Sequence, residues 1–343
     1  MDASEFLNAR LAAIRQCWRR FRCWAYFPII DRFQARRARA STAGLAIRER
    51  LPGGDPLAQS ASVAVYVHYD PAGDVADYVL DQLRQLVRAG FRITFVTNSP
   101  QFPEASRARV SPLCREMLWR FNRGLDFGGY RDGLRTIGDL TGLDRVVLAN
   151  DSVYGPFREL KSVLDEVDPR RVDYWGIIDS LEQTRHIQSF FLLFFGAAFK
   201  SEAFDLFWRA MPLIDDKGWV VRNGEVGLSR CLGKAGLRGG TLVSYAEVAA
   251  FLAQDRRRPE TPAEQRFWKR VRSRIRGRIP LNPMHYFWDI IILEFGCPFI
   301  KRDLLRANPA NIPSLSRWPS VIEARSAYDV TMIQRHLAKH ADS

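Results

Sequence analysis

The 343-residue chain carries 47% hydrophobic side chains, enough to bury one large core or two smaller ones. Its longest apolar run, Ser189–Phe199, is about half of what a bilayer-spanning helix requires, so no transmembrane helix is expected. The five cysteines (Cys17, Cys23, Cys114, Cys231 and Cys297) are odd in number and contain no C-x-x-C pair, which argues against a disulfide framework or a thiolate zinc site and suits a reducing cytoplasm. The net charge of +13 is concentrated in residues 1–50 and 255–278, each contributing +7, while the rest of the chain is close to neutral.

In chain order, residues 1–40 show apolar side chains (Phe6, Leu7, Leu11, Ile14, Trp18, Phe21, Ala25) at steps of three and four with arginines between them, the pattern of basic amphipathic helices. No apolar stretch with a small-residue cleavage site precedes them, so no secretory leader is expected. Residues 41–60, rich in Gly, Pro, Ser and Ala, read as a linker or irregular connection. Strands are predicted at 61–69, 91–99, 117–122, 144–151 and 172–179, with helices at 74–89, 129–140 and 156–167 between them. Such alternation implies an α/β fold: a doubly wound, mainly parallel sheet with helices on both faces. A strand or hairpin at 189–200, helices at 201–211 and 223–235, a short strand at 239–245, a basic helix at 264–277 and an aromatic-rich helix at 282–295 complete the chain. The organisation reads as a basic N-terminal segment and linker (1–60), an α/β domain (61–250) and a helical C-terminal extension packed on it (251–343).

Ligands of doubly wound sheets bind outside the carboxyl ends of the strands. His68, Tyr69, Asp70, Asn98, Asn150 and Asp151 all fall at those predicted ends, although polar residues begin loops for other reasons as well. The segment Arg120–Tyr130 (RFNRGLDFGGY) combines Gly124, Gly128 and Gly129 with Asp126. It reads either as a place where backbone approaches a ligand, with Arg120, Arg123 or Arg131 toward a pyrophosphate, or as a glycine-rich turn before a helix. Neither a phosphate-loop nor a dinucleotide fingerprint is present. Asn150-Asp151-Ser152 ends a buried strand; its hard oxygen atoms suit Mg²⁺ or Mn²⁺ holding a diphosphate, or serve as local turn and cap groups. Glu225 is either a general base or a first-turn acid favoured by the helix dipole. The two basic patches interleave arginine with aromatics, which suits an anionic membrane surface; nucleic acid and a plainly solvated face are the alternatives.

The runs VAVYVHYD (63–70), NRGLDFGGY (122–130), NDSVYGP (150–156), YWGIIDS (174–180) with HIQSFFLLF (186–194), and NPMHYFWDIIILEFGCPFIKRDLLRANP (282–309) occur in an order that resembles the rhamnan synthesis protein F family of bacterial polysaccharide biosynthesis. The resemblance implies a GT-A-like glycosyltransferase fold and transfer of a sugar, with dTDP-L-rhamnose as the favoured donor, onto a cell-surface or lipid-linked glycan by an inverting reaction. It places His68 and Tyr69 by the nucleotide base, and Asn122, Gly124 and Asp126, with Asn98 and Tyr130 nearby, on the donor side. Asn150, Asp151 and Ser152 stand in the place of an Asp-x-Asp metal motif, with Asp151 as the metal ligand, and Glu225 in that of the catalytic base, with Asp151 as the second-choice base. NDS lacks one acid of that motif and Val226 replaces the acid expected after Glu225, so both metal-dependent and metal-independent transfer are compatible with the pattern. The enzyme so implied works in the cytoplasm, peripheral on the inner face of the membrane. The rival reading is a basic nucleic-acid-binding module without catalysis.

Overall fold

A computed structural model describes residues 31–32, 34–36, 44, 46–254, 261–277 and 279–339. Its centre is strand β2 (Ser62–His68), buried at all seven positions. Side chains alternate across a strand, and β2 shows what that does here: Ala64 and Tyr66 enter one hydrophobic cluster and Val63, Val65 and Val67 the other. The chain continues through α1 (Asp77–Arg88), β3 (Arg92–Thr97), α2 (Glu104–Val110), β4 (Glu116–Arg120), α3 (Leu125–Ile137) and β5 (Arg145–Asn150). After β6 (Val153–Tyr154) and α4 (Leu160–Asp165) come β7 (Tyr174–Ser180), β8 (His186–Ile187), β9 (Phe191–Phe195), α5 (Glu202–Ala210), α6 (Val226–Lys234) and β10 (Gly239–Val243).

With β1 (Ile47–Pro52), the main sheet runs β1-β4-β3-β2-β5-β9-β7-β10, with β8 paired to β7. Strands β2 to β5 are mutually parallel, β10 is parallel to β7, and β9 is antiparallel to both of its neighbours. The expected doubly wound, mainly parallel sheet is therefore present. From β2 the chain winds outward through β3 and β4, then returns to lay β5 on the other side of β2. The crevice beyond the carboxyl ends of β2 and β5 is thus the topological switch point, where such sheets take their ligands.

Helices α3, α5 and α6 cover the valine face of β2. Of the glycines in the 120–130 segment, Gly129 serves this packing, while Gly128 makes room for the Arg123 carbonyl. A Cβ at Gly129 would stand 2.8 Å from Val67, and one at Gly133, a turn further along α3, 2.4 Å from Val65, so α3 lies against β2 closer than any side chain allows. Gly124 caps α3 with φ of +74°, a conformation costly for other residues.

The Tyr66 face is covered by α1 and α4 and by the C-terminal helices. Among these, α7 (Tyr245–Gln254), α8 (Pro262–Arg276), α9 (Pro283–Tyr286) and α10 (Trp288–Leu293) precede β11 (Ile300–Lys301). Then come α11 (Arg302–Ala307), α12 (Trp318–Glu323) and α13 (Thr331–Lys339). Phe267, Trp288, Ile291, Ile322 and Ile333 join the same cluster as Tyr66, so the extension shares its core with the sheet. Helix α8 starts in a capping box, Thr261 accepting from the Glu264 N–H and Glu264 reaching back to the Thr261 N–H.

The strand expected within 189–200 is β9, followed by a helical turn. Three expectations change. Part of the 41–60 linker is strand β1, antiparallel to β4. The helix expected at 223–235 begins as a π-helical turn, Val220–Glu225, and only then becomes α6. The aromatic helix expected at 282–295 breaks into α9 and α10 at Phe287, where the backbone leaves helical geometry. The basic amphipathic segment 1–40 lies almost wholly outside the described residues. Among the described residues, no helix is long and apolar enough to cross a membrane.

Candidate active site

At the switch point β2 delivers Tyr69 and Asp70, and β5 delivers Asn150, Asp151 and Ser152. Asp151 Oδ2 accepts the Tyr69 N–H at 3.2 Å and Arg302 Nη1 at 2.8 Å. Asn150 holds the turn by accepting from Ser152 N and Oγ (3.1 and 2.6 Å), and its Nδ2 donates to Asp126 Oδ2 at 3.1 Å. Asp126 comes from the first turn of α3, so two carboxylates on separate elements face one crevice with an amide between them.

Burial, and then the negative charge of Asp151, push the Asp126 carboxyl up from its ordinary value to about 6, against the opposing pull of Arg302, Lys301 and Lys217. Those first two cations are delivered by the C-terminal extension. Strand β11 pairs antiparallel with β6, matching Ile300 to Tyr154 and Lys301 to Val153, and the Arg302 N–H donates to the Ser152 carbonyl. Arg302 is also held at its head, where Nη1 donates to Tyr78 Oη at 3.0 Å. Burial disfavours its charge, but Asp151 and Tyr78 together more than offset this and keep the guanidinium protonated.

Glu225, at the end of the π-helical turn, has both oxygens engaged. Oε2 accepts from Ser189 N and Oγ (2.7 and 2.6 Å), and Oε1 lies 3.3 Å from His186 Nε2. Burial alone would raise its pKa, but the bond and charge of His186 outweigh that, with help from Lys301 and Ser189, and it falls below the ordinary glutamate value. Burial likewise opposes the His186 charge and Glu225 reverses the balance, so that pKa is raised. A lowered acid stabilises the fold above its unfolded pKa and loses that stability as pH falls; a raised histidine stabilises below its unfolded pKa and loses it as pH rises. The pair therefore contributes most between the two ordinary values of 4.5 and 6.5. Glu225→Gln is expected to cost about 1–3 kcal/mol in that window and little near pH 8. Thermal denaturation of wild type and variant across pH checks this; equal losses at both ends would refute the pairing.

Several residues expected at the site hold the scaffold instead. His68 is buried behind the sheet edge, its ring nitrogens 3.2 Å from Thr97 Oγ1 and 3.1 Å from the Asp74 carbonyl, and burial lowers its pKa. Asn98 is spent on Arg120 and the Leu125 carbonyl. Tyr130 is a core ring packed on Phe127 and Trp208, its hydroxyl donating to the Ser189 carbonyl. Arg120 and Arg131 are buried on Asp132 and cannot face a pyrophosphate, while Arg123 pairs with Asp215 at the surface. Gly124 donates its N–H to Asp215, Asn122 is exposed beside it, and the Tyr69 ring is half-buried at the crevice edge.

Asp151 is already paired with a guanidinium at 2.8 Å, and among the described residues no three His, Cys, Asp or Glu side chains converge, so a divalent ion here would depend on ligand phosphates for most of its donors. Lys301 and Arg302 escape a reading of the sequence because nothing local marks them; the sole signal is their place inside the long C-terminal motif.

The sheet defines the class: an α/β protein with a doubly wound, mainly parallel sheet whose switch point gathers carboxylates and amides. Residues 93–256 match the family model of rhamnan synthesis protein F. The chain is 31% identical over 202 residues to the uncharacterized protein y4gN of Sinorhizobium fredii, covering 57% of this chain and 52% of that protein. It is 30% identical over 228 residues to the virulence protein VirA of Vibrio anguillarum, covering 62% of this chain and 70% of that protein. The chain thus spans about half the length of y4gN and belongs to the rhamnan synthesis protein F family. Among solved structures, the glycosyltransferase GlyE of Streptococcus pneumoniae TIGR4 aligns with a TM-score of 0.37 and 13% identity, covering 81% of this chain and 64% of that one. A likeness that slight carries no functional argument.

Proposed function

We propose that this protein is a glycosyltransferase that moves a sugar, L-rhamnose from dTDP-L-rhamnose, onto a growing cell-surface or lipid-linked glycan. The observation that carries the reading is the pair Asp126 and Asp151, joined through Asn150 at the switch point, in a chain whose family is defined by rhamnan synthesis. In this mechanism the acceptor hydroxyl attacks the anomeric carbon as the bond to the diphosphate breaks, inverting the configuration. The hydroxyl proton passes to a carboxylate.

Glu225 was the expected base, but its oxygens are occupied by Ser189 and His186 and its basicity is reduced. Asp126, with one oxygen bonded to Asn150 and a pKa of about 6, is the better acceptor for a proton near neutral pH. Glu225 then acts as a positioning residue for the β8–β9 connection, and Asp151 fixes the cation beside the site. Attachment to an anionic membrane surface through residues 1–40 is part of the same proposal.

A panel of dTDP-, UDP- and GDP-sugars tests the donor. At a hundredfold excess over Kd a true donor stabilises the fold by about 2.7 kcal/mol, and dTDP-L-rhamnose is expected to give the largest rise in Tm and to support transfer to a membrane-extracted acceptor. If no nucleotide sugar shifts Tm and no label reaches a glycan, the reading fails.

A further inference from the structure

We propose that Lys301 and Arg302 are the diphosphate-binding cations of this site, doing with an ammonium and a guanidinium what a divalent metal would otherwise do. The inference rests on the glycosyltransferase reading above and deepens it.

The first ground is placement. Pairing of β11 with β6 sets Lys301 opposite Val153, and the backbone bond from Arg302 N to Ser152 O ties the next residue to the Asn150-Asp151-Ser152 turn. Both cations are thereby fixed at the carboxyl end of β5, where a doubly wound sheet holds the charged part of its ligand. The second ground is unused donor capacity. Arg302 is only 19% exposed, yet both its side-chain bonds come from Nη1; among the described residues Nε and Nη2 have no partner. A guanidinium held at one nitrogen with a fork left open is preorganised for a bidentate phosphate contact. The third ground is Lys301, which is half-buried with its Nζ 4.8 Å from the centroid of the Phe190 ring and has no ion-pair partner among the described residues. Its charge is felt by Asp126, Glu225 and Asp303 but it is bonded to none of them, which leaves its N–H donors open to a phosphate.

Asp151 completes the logic. Its carboxylate orients Arg302 rather than binding a metal, since an ion placed there would have to displace or repel that guanidinium. As the glycosidic bond breaks, the leaving diphosphate gains negative charge, and two fixed cations stabilise it with little reorganisation.

The test is calorimetric binding of dTDP, UDP, GDP and dTMP to the full chain in EDTA and in Mn²⁺. Wild type is expected to bind one of the diphosphates in EDTA. Lys301→Met should weaken that binding about 10-fold and Arg302→Met about 100-fold, with dTMP affected far less because it lacks the second phosphate. Arg302→Met leaves Asp151 without its counter-charge; should that variant not fold, Lys301→Met carries the test alone. Diphosphate binding that requires Mn²⁺, or that both variants retain at wild-type strength, overturns this assignment and leaves the donor reading standing. Failure of wild type to bind any nucleotide in either buffer brings down the donor reading and this inference with it.

Discussion

Replacing Asp126 with asparagine is expected to remove sugar transfer and at the same time to make the protein more stable at neutral pH. Both effects come from one fact: the folded protein holds this carboxylate in a buried place beside Asp151, with its pKa raised to about 6 from an ordinary 3.8. A raised acid destabilises the fold where it must ionise. Below the unfolded pKa both states are protonated and there is no cost; between 3.8 and about 6 the unfolded chain loses its proton first, so stability falls as pH rises; above that the cost is complete. The amide introduced by Asp126→Asn would carry no charge, and its oxygen could still accept from Asn150 Nδ2. The expected gain is about 1–3 kcal/mol at pH 7 and none near pH 4. Loss of the proton acceptor is expected to slow transfer by about 10²–10⁴-fold, with the wild-type rate rising as pH passes through about 6. Thermal unfolding and steady-state transfer on the same preparations separate the two effects. A variant that keeps its activity rules out Asp126 as the base, and one that melts lower at pH 7 rules out the burial argument.

Arg120→Met is expected to be among the most destabilising single changes in the chain, at about 3–5 kcal/mol. Arg120 and Asp132 both have fully buried side chains, with Nη2 2.9 Å from Asp132 Oδ2. The same guanidinium donates to Asn98 Oδ1 at 2.7 Å and to the Arg123 carbonyl at 2.8 Å, which joins the end of β3 to the loop that starts α3. Its loss takes from Asp132 one of its two buried cations and leaves two acceptors unsatisfied. Arg131 Nε and the Ala46 N–H still reach Asp132, which holds the loss toward the lower end of that range. The double variant Arg120→Met/Asp132→Asn is expected to be less stable still, because it also strips the buried Arg131 of its counter-charge. Chemical denaturation of the three proteins checks this; a double variant as stable as Arg120→Met would show that the cost lies in packing and not in the buried charges.

Much of the architecture was legible in the sequence because it is local. Ser62–His68 announces a central strand by being apolar through most of its length, and the helical periods between the strands require a wound sheet. Polar residues at the ends of those strands point to one crevice, and Asn150, Asp151 and Asp126 meet there. Helix starts and stops were read to within a few residues wherever periodicity was strong, as in α1 and α8.

What the sequence could not tell is set by contacts between distant residues. Strand β1 is six residues of alternating half-buried and exposed side chains, too short and too charged to be separated from a linker until β4 offers it an edge. Gly129 of DFGGY looks the same whether a ligand or Val67 lies above it; only the packing of α3 on β2 decides. Glu225 looks like an available base until Ser189 and His186 close on it from positions 36 and 39 residues earlier. Arg302 stands 151 residues beyond Asp151, and no periodicity or spacing announces that pair. Residue order along the chain determined this protein's sheet and the crevice at its switch point. Which charges face that crevice was decided by tertiary structure, because an ion pair depends on distance in space and leaves no local pattern in the chain.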